Sequence, residues 1–298
     1  MELTWLEDFL ALAEHRNFSR AAAARHVTQP AFSRRIQALE AWIGTPLVLR
    51  SPQGVQLAAA GLDLQDRAAA LVRDIHAARR GALKAAGREG TALSIAATHA
   101  LSFTFFPNWI RGLFPMEAPG PLNLLSDSMA ACERLFAAGD ADFLLAHAQG
   151  EGSARLPPGE FSSVVVGQDL LVPVSAPGTD GAPRWSLPGR PGVSVRALAY
   201  SAASGLGRIL EAALAGRGLV QETAVTAPLA AALQTLARQG QGLAWLPRSM
   251  VADDLAAGRL VEAGPGFAVP VEIRLFRPRR RQSAAAEAFW TEVSSPAG

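Results

Sequence analysis

Several polar side chains close to residue 30 have the types and spacing that suit contact with DNA bases. Gln29 can form paired hydrogen bonds with an adenine edge, and Arg34 can do the same with guanine. Ser33 can bond to a base or a phosphate, while Pro30 is small enough to let the backbone approach. With two neighbours they form the candidate DNA-binding set of Thr28, Gln29, Pro30, Ser33, Arg34 and Gln37.

A helix predicted over residues 29–43 would hold that set on one face. At about 100° per residue, Phe32, Ile36 and Leu39 share a second face, roughly 120° away, which is apolar and predicts a core. Thr28 is a good N-cap, and Pro30 suits the first turn. Helices predicted over residues 4–14 and 20–25 and a hairpin over 47–57 complete a helix-turn-helix unit. The alternative is a solvated helix face, but the position before a hairpin and a long helix favours DNA.

The long Ala-rich helix predicted over residues 59–86 carries a stripe that would join two copies of the chain. Its members fall at alternating spacings of four and three residues, the pattern of a seam between helices. They are Leu64, Ala68, Leu71, Ile75 and Ala78. The alternative is a chance stripe, which Ala-rich helices also produce.

Composition limits the classes of protein to consider. The 298 residues are 49% hydrophobic and 18% charged, so we expect a buried core. The basic residues are 27 Arg and one Lys, with a net charge of +2, which fits either an Arg-rich genome or phosphate contact. A single cysteine excludes a disulfide framework and a Cys-based zinc finger. No apolar run approaches the ~20 residues of a membrane helix, and the early acidic residues do not suit a secretory signal. We expect a soluble, cytoplasmic, multi-domain protein with no membrane partner, no metal and no cofactor.

From residue 91 onward, predicted strands alternate with predicted helices. This pattern is typical of βαβ units and predicts mostly parallel sheets in two α/β lobes with a cleft between them. Ligands of such folds bind beyond the carboxyl ends of the strands, where hydroxyls and free N–H groups suit an anion or a small polar ligand. Helix N-capping is the alternative role for each hydroxyl. The candidate ligand-binding residues are Thr98, His99, Ala100, Leu101, Ser102, Ser126, Ser128, Met129, His147, Ser201, Ser204 and Thr226.

Two other features have a functional and a structural interpretation. Cys132 is either a redox sensor or, as we favour in the absence of a second cysteine, a buried inert thiol. The basic run of Arg277, Arg279, Arg280 and Arg281 is a solvated turn by default and a second DNA or polymerase contact as the weaker alternative.

The first 60 residues resemble the DNA-binding signature of LysR-type transcriptional regulators. The segments that carry the resemblance are residues 9–13, 17–22, 27–40, 43–50 and 57–61. The resemblance implies DNA contacts at the set above, with Arg50 and Gln53 added from the wing. Val48 replaces the usual Phe and Ala58 the usual Thr, departures that concern stability more than recognition.

The same resemblance implies an order of domains and a set of partners. We expect a winged helix-turn-helix domain over residues 1–60 and a linker or dimerisation helix over 61–88. A periplasmic-binding-protein-like effector domain would follow over 89–298, with lobe I at about 89–165 and 268–298 and lobe II at about 166–267. The expected partners are double-stranded DNA, a second copy of the chain in a homodimer or homotetramer, a small-molecule effector and RNA polymerase.

Residues 93–102, 201–210 and 240–247 narrow the resemblance to hypochlorite-responsive LysR-type regulators. In that group methionine oxidation is the proposed trigger. Leu206 and Leu229 lie where a sulfur switch would be expected, and leucine cannot undergo that oxidation. The signal is therefore either a small molecule at the cleft or an oxidant.

Two other classes of function fit the sequence less well. An enzyme on the same lobes would need a phosphate loop, a metal-ligand spacing or a nucleophile elbow, and none is visible. A solute-binding protein of a transporter would not carry a DNA-binding unit.

Overall fold

The computed structural model describes residues 1–51, 54–85, 93–113, 121–150, 154–156, 159–189, 194–202 and 204–295. The chain divides into two compact units, Met1–Glu89 and Gly90–Gly298.

The first unit consists of three short helices, a hairpin and a long helix. These are α1 (Leu3–His15), α2 (Phe18–Ala24), α3 (Gln29–Ile43), the strands β1 (Val48–Ser51) and β2 (Gly54–Leu57), and α4 (Ala59–Ala85). Helix α2 begins two residues earlier than predicted because the side chain of Asn17 accepts a hydrogen bond from the Arg20 backbone N–H at 3.0 Å. Phe9, Phe32 and Leu39 lie in the common core of the unit.

Ionic contacts fix the three short helices against one another. Asp8 on α1 is fully buried between two arginines, with Arg25 Nε at 2.8 Å and Arg35 Nη1 at 3.2 Å from its carboxylate oxygens. The hairpin is fixed separately, because Glu40 Oε1 accepts hydrogen bonds from the Leu47 and Val48 N–H groups at 2.8 and 3.1 Å. A buried carboxylate paired with two partly exposed arginines therefore joins α3 to α1 and to the end of α2.

Part of the stripe on α4 that was predicted to contact a second copy packs inside its own chain. Ala68 is fully buried in the core of the first unit, and Leu64 packs partly against that core, because α1 covers the first half of α4. Ala68 is therefore wrong as a contact for a second copy. Leu71 and Ile75 are 47% and 42% exposed, and Ala78 is exposed as well.

The second unit is an α/β structure whose described elements alternate as predicted. They are β3 (Leu93–Thr98), α5 (His99–Thr104), α6 (Phe106–Leu113), β4 (Leu122–Asp127), α7 (Met129–Ala138), β5 (Phe143–Ala148), β6 (Phe161–Ser175), β7 (Val195–Tyr200), α8 (Gly205–Leu214), β8 (Gln221–Ala227), α9 (Ala230–Arg238), β9 (Ala244–Pro247), α10 (Arg248–Ala256), β10 (Val261–Glu262), a 3-10 turn (Pro265–Phe267), β11 (Val269–Pro278) and α11 (Ala284–Ser294).

The main sheet is mixed, whereas mostly parallel sheets were predicted. Its order is β10-β6-β11-β5-β3-β4, with β9 also paired to β6. Strand β3 is parallel to β4 and β5, but β11 runs antiparallel to both β5 and β6. Strands β7 and β8 form a separate parallel pair. The prediction was wrong here because β6 and β11 are long return strands that pair with each other along ten residue pairs.

Some local predictions also differ from the structure. The sequence predicts two strands, at 164–166 and 170–174, whereas the structure has one continuous strand there, β6. The sequence predicts residues 98–102 to belong to the loops around the cleft, whereas the structure begins helix α5 at His99. Helix α10 was not predicted, because Val251 and Asp254 are its only buried residues and no apolar stripe marks it. No helix in the described part of the chain is both long and apolar enough to span a membrane.

Candidate functional site

Helix α3 presents the predicted DNA-binding residues on the side away from its core. Gln29, Pro30, Arg34 and Gln37 are exposed and Ser33 is partly exposed, while Phe32, Ile36 and Leu39 are buried. Thr28 lies at the N-cap, but its side chain makes no capping hydrogen bond, so the helix start does not consume its hydroxyl. The structure thus brings this part of the predicted set together on one surface.

The two adjacent arginines of α3 have different surroundings. The Arg35 guanidinium lies 3.2 Å from the buried carboxylate of Asp8. Arg34 is exposed, and no residue in the described ranges forms an ion pair with it. Arg34 is therefore the arginine of this helix that is available to an outside partner.

The predicted wing contacts are only partly located. Arg50 lies on β1, opposite Val55 of β2. Gln53 lies outside the described residues.

A small cavity of about 40 Å³ lies in the second unit between the starts of several helices. Part of the predicted ligand-binding set lines it, namely Thr98, His99, Ala100, Ser128, Met129, His147 and Ser204. The lining also includes residues outside that candidate set, namely Asp127, Tyr200, Gly205, Leu206, Pro228, Leu229 and Ala230, of which Leu206 and Leu229 are the positions where a sulfur switch was expected. Most of these residues lie beside the starts of α7, α8 and α9, so the predicted helix starts are the sequence feature that could have identified them.

The other predicted residues do not line this cavity. Leu101 is wrong as a ligand contact, because it is fully buried in the hydrophobic core beneath the sheet. Ser102 is buried and donates a hydrogen bond to Ser126 at 2.9 Å, while Ser126 is exposed and lies 3.1 Å from His99 Nδ1. Thr226 is exposed on β8, and Ser201 lines a different, larger cavity.

His147 is a buried histidine at the edge of the small cavity. It is 4% exposed, and its Nε2 atom has no hydrogen-bond partner among the described residues. Asp169 Oδ2 is 3.8 Å away, which is too long for a hydrogen bond. The Thr98 hydroxyl is also buried and has no hydrogen-bond partner in the part of the chain that the structure describes. Two buried polar groups therefore remain unsatisfied beside this cavity, which is uncommon in a native interior.

Asp169 stays ionised beside His147. Burial favours its neutral form, but the neighbouring His147 and hydrogen bonds from Ser249 and the Leu170 N–H hold the pKa of this carboxyl below its ordinary value. Ser249 Oγ donates to Asp169 Oδ2 at 2.5 Å. A negative charge is therefore held behind the imidazole.

The serines at the cavity have the capping role that was their alternative interpretation. Ser128 accepts from the Ala131 N–H and Ser204 from the Gly207 N–H, each at 3.4 Å. The starts of α7 and α8 nevertheless border the cavity, and helix N-termini carry partial positive charge. These two helix starts add partial positive charge to a lining that also contains the Asp127 carboxylate.

The two sulfur-containing residues of α7 differ in chemistry. Met129 lines the cavity, although it is only 3% exposed. Cys132 is fully buried with its Sγ 3.4 Å from the Ala97 carbonyl oxygen, and burial raises the pKa of this thiol to about 12. Cys132 therefore stays a thiol at neutral pH, which fits the inert role rather than the redox role.

The basic run after β11 is not a uniform patch. Arg277 is buried, pairs with Glu287 at 2.6 and 3.0 Å, and lies over the Trp290 ring. Arg279 Nε donates to the Phe161 carbonyl, while Arg280 and Arg281 are exposed. The first arginine of the run is a structural residue.

No group of three or more His, Cys, Asp or Glu side chains is placed to hold a metal ion within the ranges that the structure covers.

Comparisons with known proteins match both units of the chain. The family model described as "Bacterial regulatory helix-turn-helix protein, lysR family" matches residues 3–62, and "LysR substrate binding domain" matches residues 86–295. The HTH-type transcriptional regulator YjiE of Escherichia coli is 30% identical, over 98% of this chain and 94% of that protein.

Solved structures agree with this assignment. DarR of Vibrio fischeri, in complex with DNA, is 30% identical with a TM-score of 0.58 and 99% of each chain covered. HypT of Salmonella typhimurium, a hypochlorite-specific LysR-type regulator, is 29% identical with a TM-score of 0.58, over 98% of this chain and 97% of that one. These families and relatives are transcriptional regulators and not enzymes. The chain therefore belongs to the LysR family of DNA-binding transcriptional regulators, with a helix-turn-helix domain followed by a two-lobed substrate-binding domain.

Proposed function

We propose that this regulator reads its operator with the exposed face of α3 and receives its signal at the small cavity, which we call the inter-lobe cleft. One observation carries the first part: Gln29, Arg34 and Gln37 are exposed on one face of a helix whose other face is core. Such side chains can read base edges in a major groove, while Thr28 and the wing contact phosphates.

A double substitution tests this assignment. Ser33→Ala with Arg34→Ala removes two groups of the reading surface and no core side chain, so we expect sequence-specific binding to be lost while the fold and the oligomeric state persist. The measurement compares binding to a specific and a scrambled duplex. If the variant still binds the specific duplex more tightly than the scrambled one, the assignment of the DNA-reading face is wrong.

The signal proposed for the inter-lobe cleft is a small anion. The cavity of about 40 Å³ is close to the ~30 Å³ that one water occupies in the liquid. The starts of α7, α8 and α9 border it, and the unsatisfied Nε2 of His147 lies at its edge. The regulatory domain of HypT, 25% identical with a TM-score of 0.56, has been solved with a bromide ion bound, which supports an ion of this size. A larger effector would require the lobes to open.

Thermal unfolding of the full-length protein tests the anion. Bromide, exchanged for gluconate at constant ionic strength, should raise Tm by preferential binding to the folded state. His147→Gln should lose this increase, whereas His26→Gln, an exposed histidine of the first unit, should keep it. An equal bromide effect in both variants would contradict the cleft as the anion site.

An oxidant is the second candidate signal, and the position of Met129 favours it. A Cβ atom on Gly205 would lie 2.9 Å from Met129 Cγ, so the side chain is tightly packed against the start of α8. A sulfoxide would add a polar oxygen at this contact and push α7 and α8 apart. Met129→Leu should abolish a hypochlorite response, and an unchanged response would exclude Met129.

Two further parts of the proposal concern partners and location. We propose that the exposed residues of α4, Leu71, Ile75 and Ala78, pair two copies of the chain as a dimer or as half of a tetramer. An apolar stripe on a long helix is stabilised when it packs against another helix. RNA polymerase is a further partner, and the cytoplasm, where the DNA lies, is the proposed location. The domain limits proposed from the sequence, 1–60, 61–88 and 89–298, are retained.

A further inference from the structure

A second and larger cavity lies beside α8 and the β7–β8 pair of the effector domain. Its volume is about 760 Å³, within the range of ligand pockets, whereas the inter-lobe cleft has about 40 Å³. Tyr200 lines both, and the described lining residues are otherwise different. The two cavities are therefore neighbouring but separate.

The walls of this cavity are largely apolar. Leu198, Leu210 and Trp245 are nearly buried in the protein and contribute to the lining, together with the less buried Leu214 and Leu219. Such walls would accommodate an aliphatic or aromatic body.

The charged residues that line the cavity are mostly basic. They comprise three arginines, Arg155, Arg208 and Arg217, and one carboxylate, Glu211. Arg217 donates to the Gly266 carbonyl at 3.0 Å and lies over the Phe267 ring, so neither of these contacts neutralises its charge. Since Arg208 is paired with Glu133 of α7, Arg155 and Arg217 are left against Glu211, an excess of one positive charge that favours a negatively charged ligand.

Arg208 is the side chain best placed to hold such a charge. Its Nη2 and Nη1 atoms hold Glu133 of α7 at 2.7 and 3.3 Å, across from one lobe to the other. Its Nε atom is buried and has no hydrogen-bond partner within the described ranges, and the same is true of the Ser201 hydroxyl. Buried donors of this kind cost free energy until an acceptor reaches them.

We propose that this cavity is a second effector site that takes a small amphipathic monocarboxylate. The carboxylate accepts hydrogen bonds from Arg208 Nε and Ser201 Oγ, and the apolar body lies against the leucines and Trp245. Since the other nitrogens of Arg208 hold Glu133, the bound ligand fixes the ion pair that joins the two lobes. A ligand here then shifts the population toward the joined arrangement.

Calorimetric titration of the full-length protein tests the proposal with three probes. Octanoate supplies both the chain and the charge, octanamide only the chain, and acetate only the charge. We expect octanoate to bind at one site per chain, with the other two at least tenfold weaker. Absence of octanoate binding, or equal binding of octanamide, would overturn the proposal.

A pair of variants on β8 localises the binding. Thr223 lines the cavity and Thr226 does not, although both are exposed on the same strand. Thr223→Trp should fill the cavity and weaken octanoate binding at least tenfold, and Thr226→Trp should leave it unchanged. His147→Gln should also leave it unchanged, which separates this site from the inter-lobe cleft.

Sedimentation velocity on the same samples tests the alternative that a second copy of the chain, and not a small carboxylate, covers this cavity. If Thr223→Trp changes the oligomeric state and the parent protein binds no octanoate, a second copy of the chain covers the cavity and the proposal is wrong. Octanoate binding that persists in Thr223→Trp also contradicts it.

Discussion

At the scale of single residues, the adjacent arginines of α3 have different roles, one in the fold and one in the proposed contact with DNA. Arg35 pairs with the buried Asp8, whereas Arg34 faces outward. Arg34→Ala should weaken specific DNA binding by about ten- to a hundredfold, the usual value of a paired base contact, without changing Tm. Arg35→Ala should lower Tm because it removes one partner of a buried charge. Binding and melting of both variants check this, and a reversed pattern would contradict the assignment.

Cys132 should not respond to oxidants in the folded protein. Burial keeps its thiol protonated, with a pKa of about 12, and the reactive form of cysteine is the thiolate. We expect negligible labelling by a maleimide at pH 7 until the protein is unfolded. Cys132→Ala should retain whatever oxidant response the parent shows, and loss of that response would implicate the thiol.

Glu287 should give the stability of the effector domain a definite dependence on pH. Hydrogen bonds from Arg277 and from the Gln282 N–H lower the pKa of Glu287 from 4.5 to about 2. Because the folded-state pKa is depressed, this contribution is present above about pH 4.5 and is lost as the pH falls toward 2. Urea unfolding should show Glu287→Gln destabilised at pH 6 and less so at pH 3. A difference that grows on acidification would contradict the pairing.

At the scale of elements, α4 presents an apolar stripe beyond the part that α1 covers. Ile75→Glu should dissociate the proposed dimer, because a charge in a helix seam is poorly solvated. Leu62→Glu is the matched control, since Leu62 is 58% exposed on the same helix but outside the stripe. Sedimentation at several concentrations measures both variants, and dissociation by Leu62→Glu alone would contradict the seam.

Elements with a complete set of local signals could be predicted from the sequence. Helix α3 runs over the predicted residues 29–43, because its apolar stripe, its N-terminal Pro30 and its final Gly44 agree. Helix α10 lacks an apolar stripe and was missed, and the seam assignment of Ala68 failed because long-range packing by α1 decides its burial. Contacts between distant segments leave little trace in local sequence.

The same limit applies to the sites. The polar residues that line the inter-lobe cleft could be predicted because they lie near strand ends or helix starts, as His147 does near the end of β5 and Ser128 directly before α7. Apolar members such as Ala230 were not predicted, because nothing in their chemistry marks them. The larger cavity was not anticipated, since its walls come from segments far apart in the chain.

At the scale of the whole molecule, the DNA-binding match and the substrate-binding match belong to different units of the chain. The helix-turn-helix match covers residues 3–62 and the substrate-binding match covers 86–295. A signal can control transcription only if it binds the DNA-competent and DNA-incompetent states with different affinity. The proposed anion and the proposed carboxylate should therefore each change the affinity of the protein for operator DNA. Operator DNA should in turn change the affinity of the protein for each ligand by the same factor.

The central claim is that this chain binds specific DNA under the control of a signal in its effector domain. The most direct test is binding of the full-length protein to its own upstream intergenic DNA at two salt concentrations, with and without bromide or hypochlorite. We predict specific binding that weakens with salt through its phosphate contacts and changes with one of the two additions. The change should disappear in His147→Gln if bromide acts, or in Met129→Leu if hypochlorite acts. Specific binding that neither bromide nor hypochlorite changes would contradict control through the inter-lobe cleft. So would a change that persists in full in both His147→Gln and Met129→Leu.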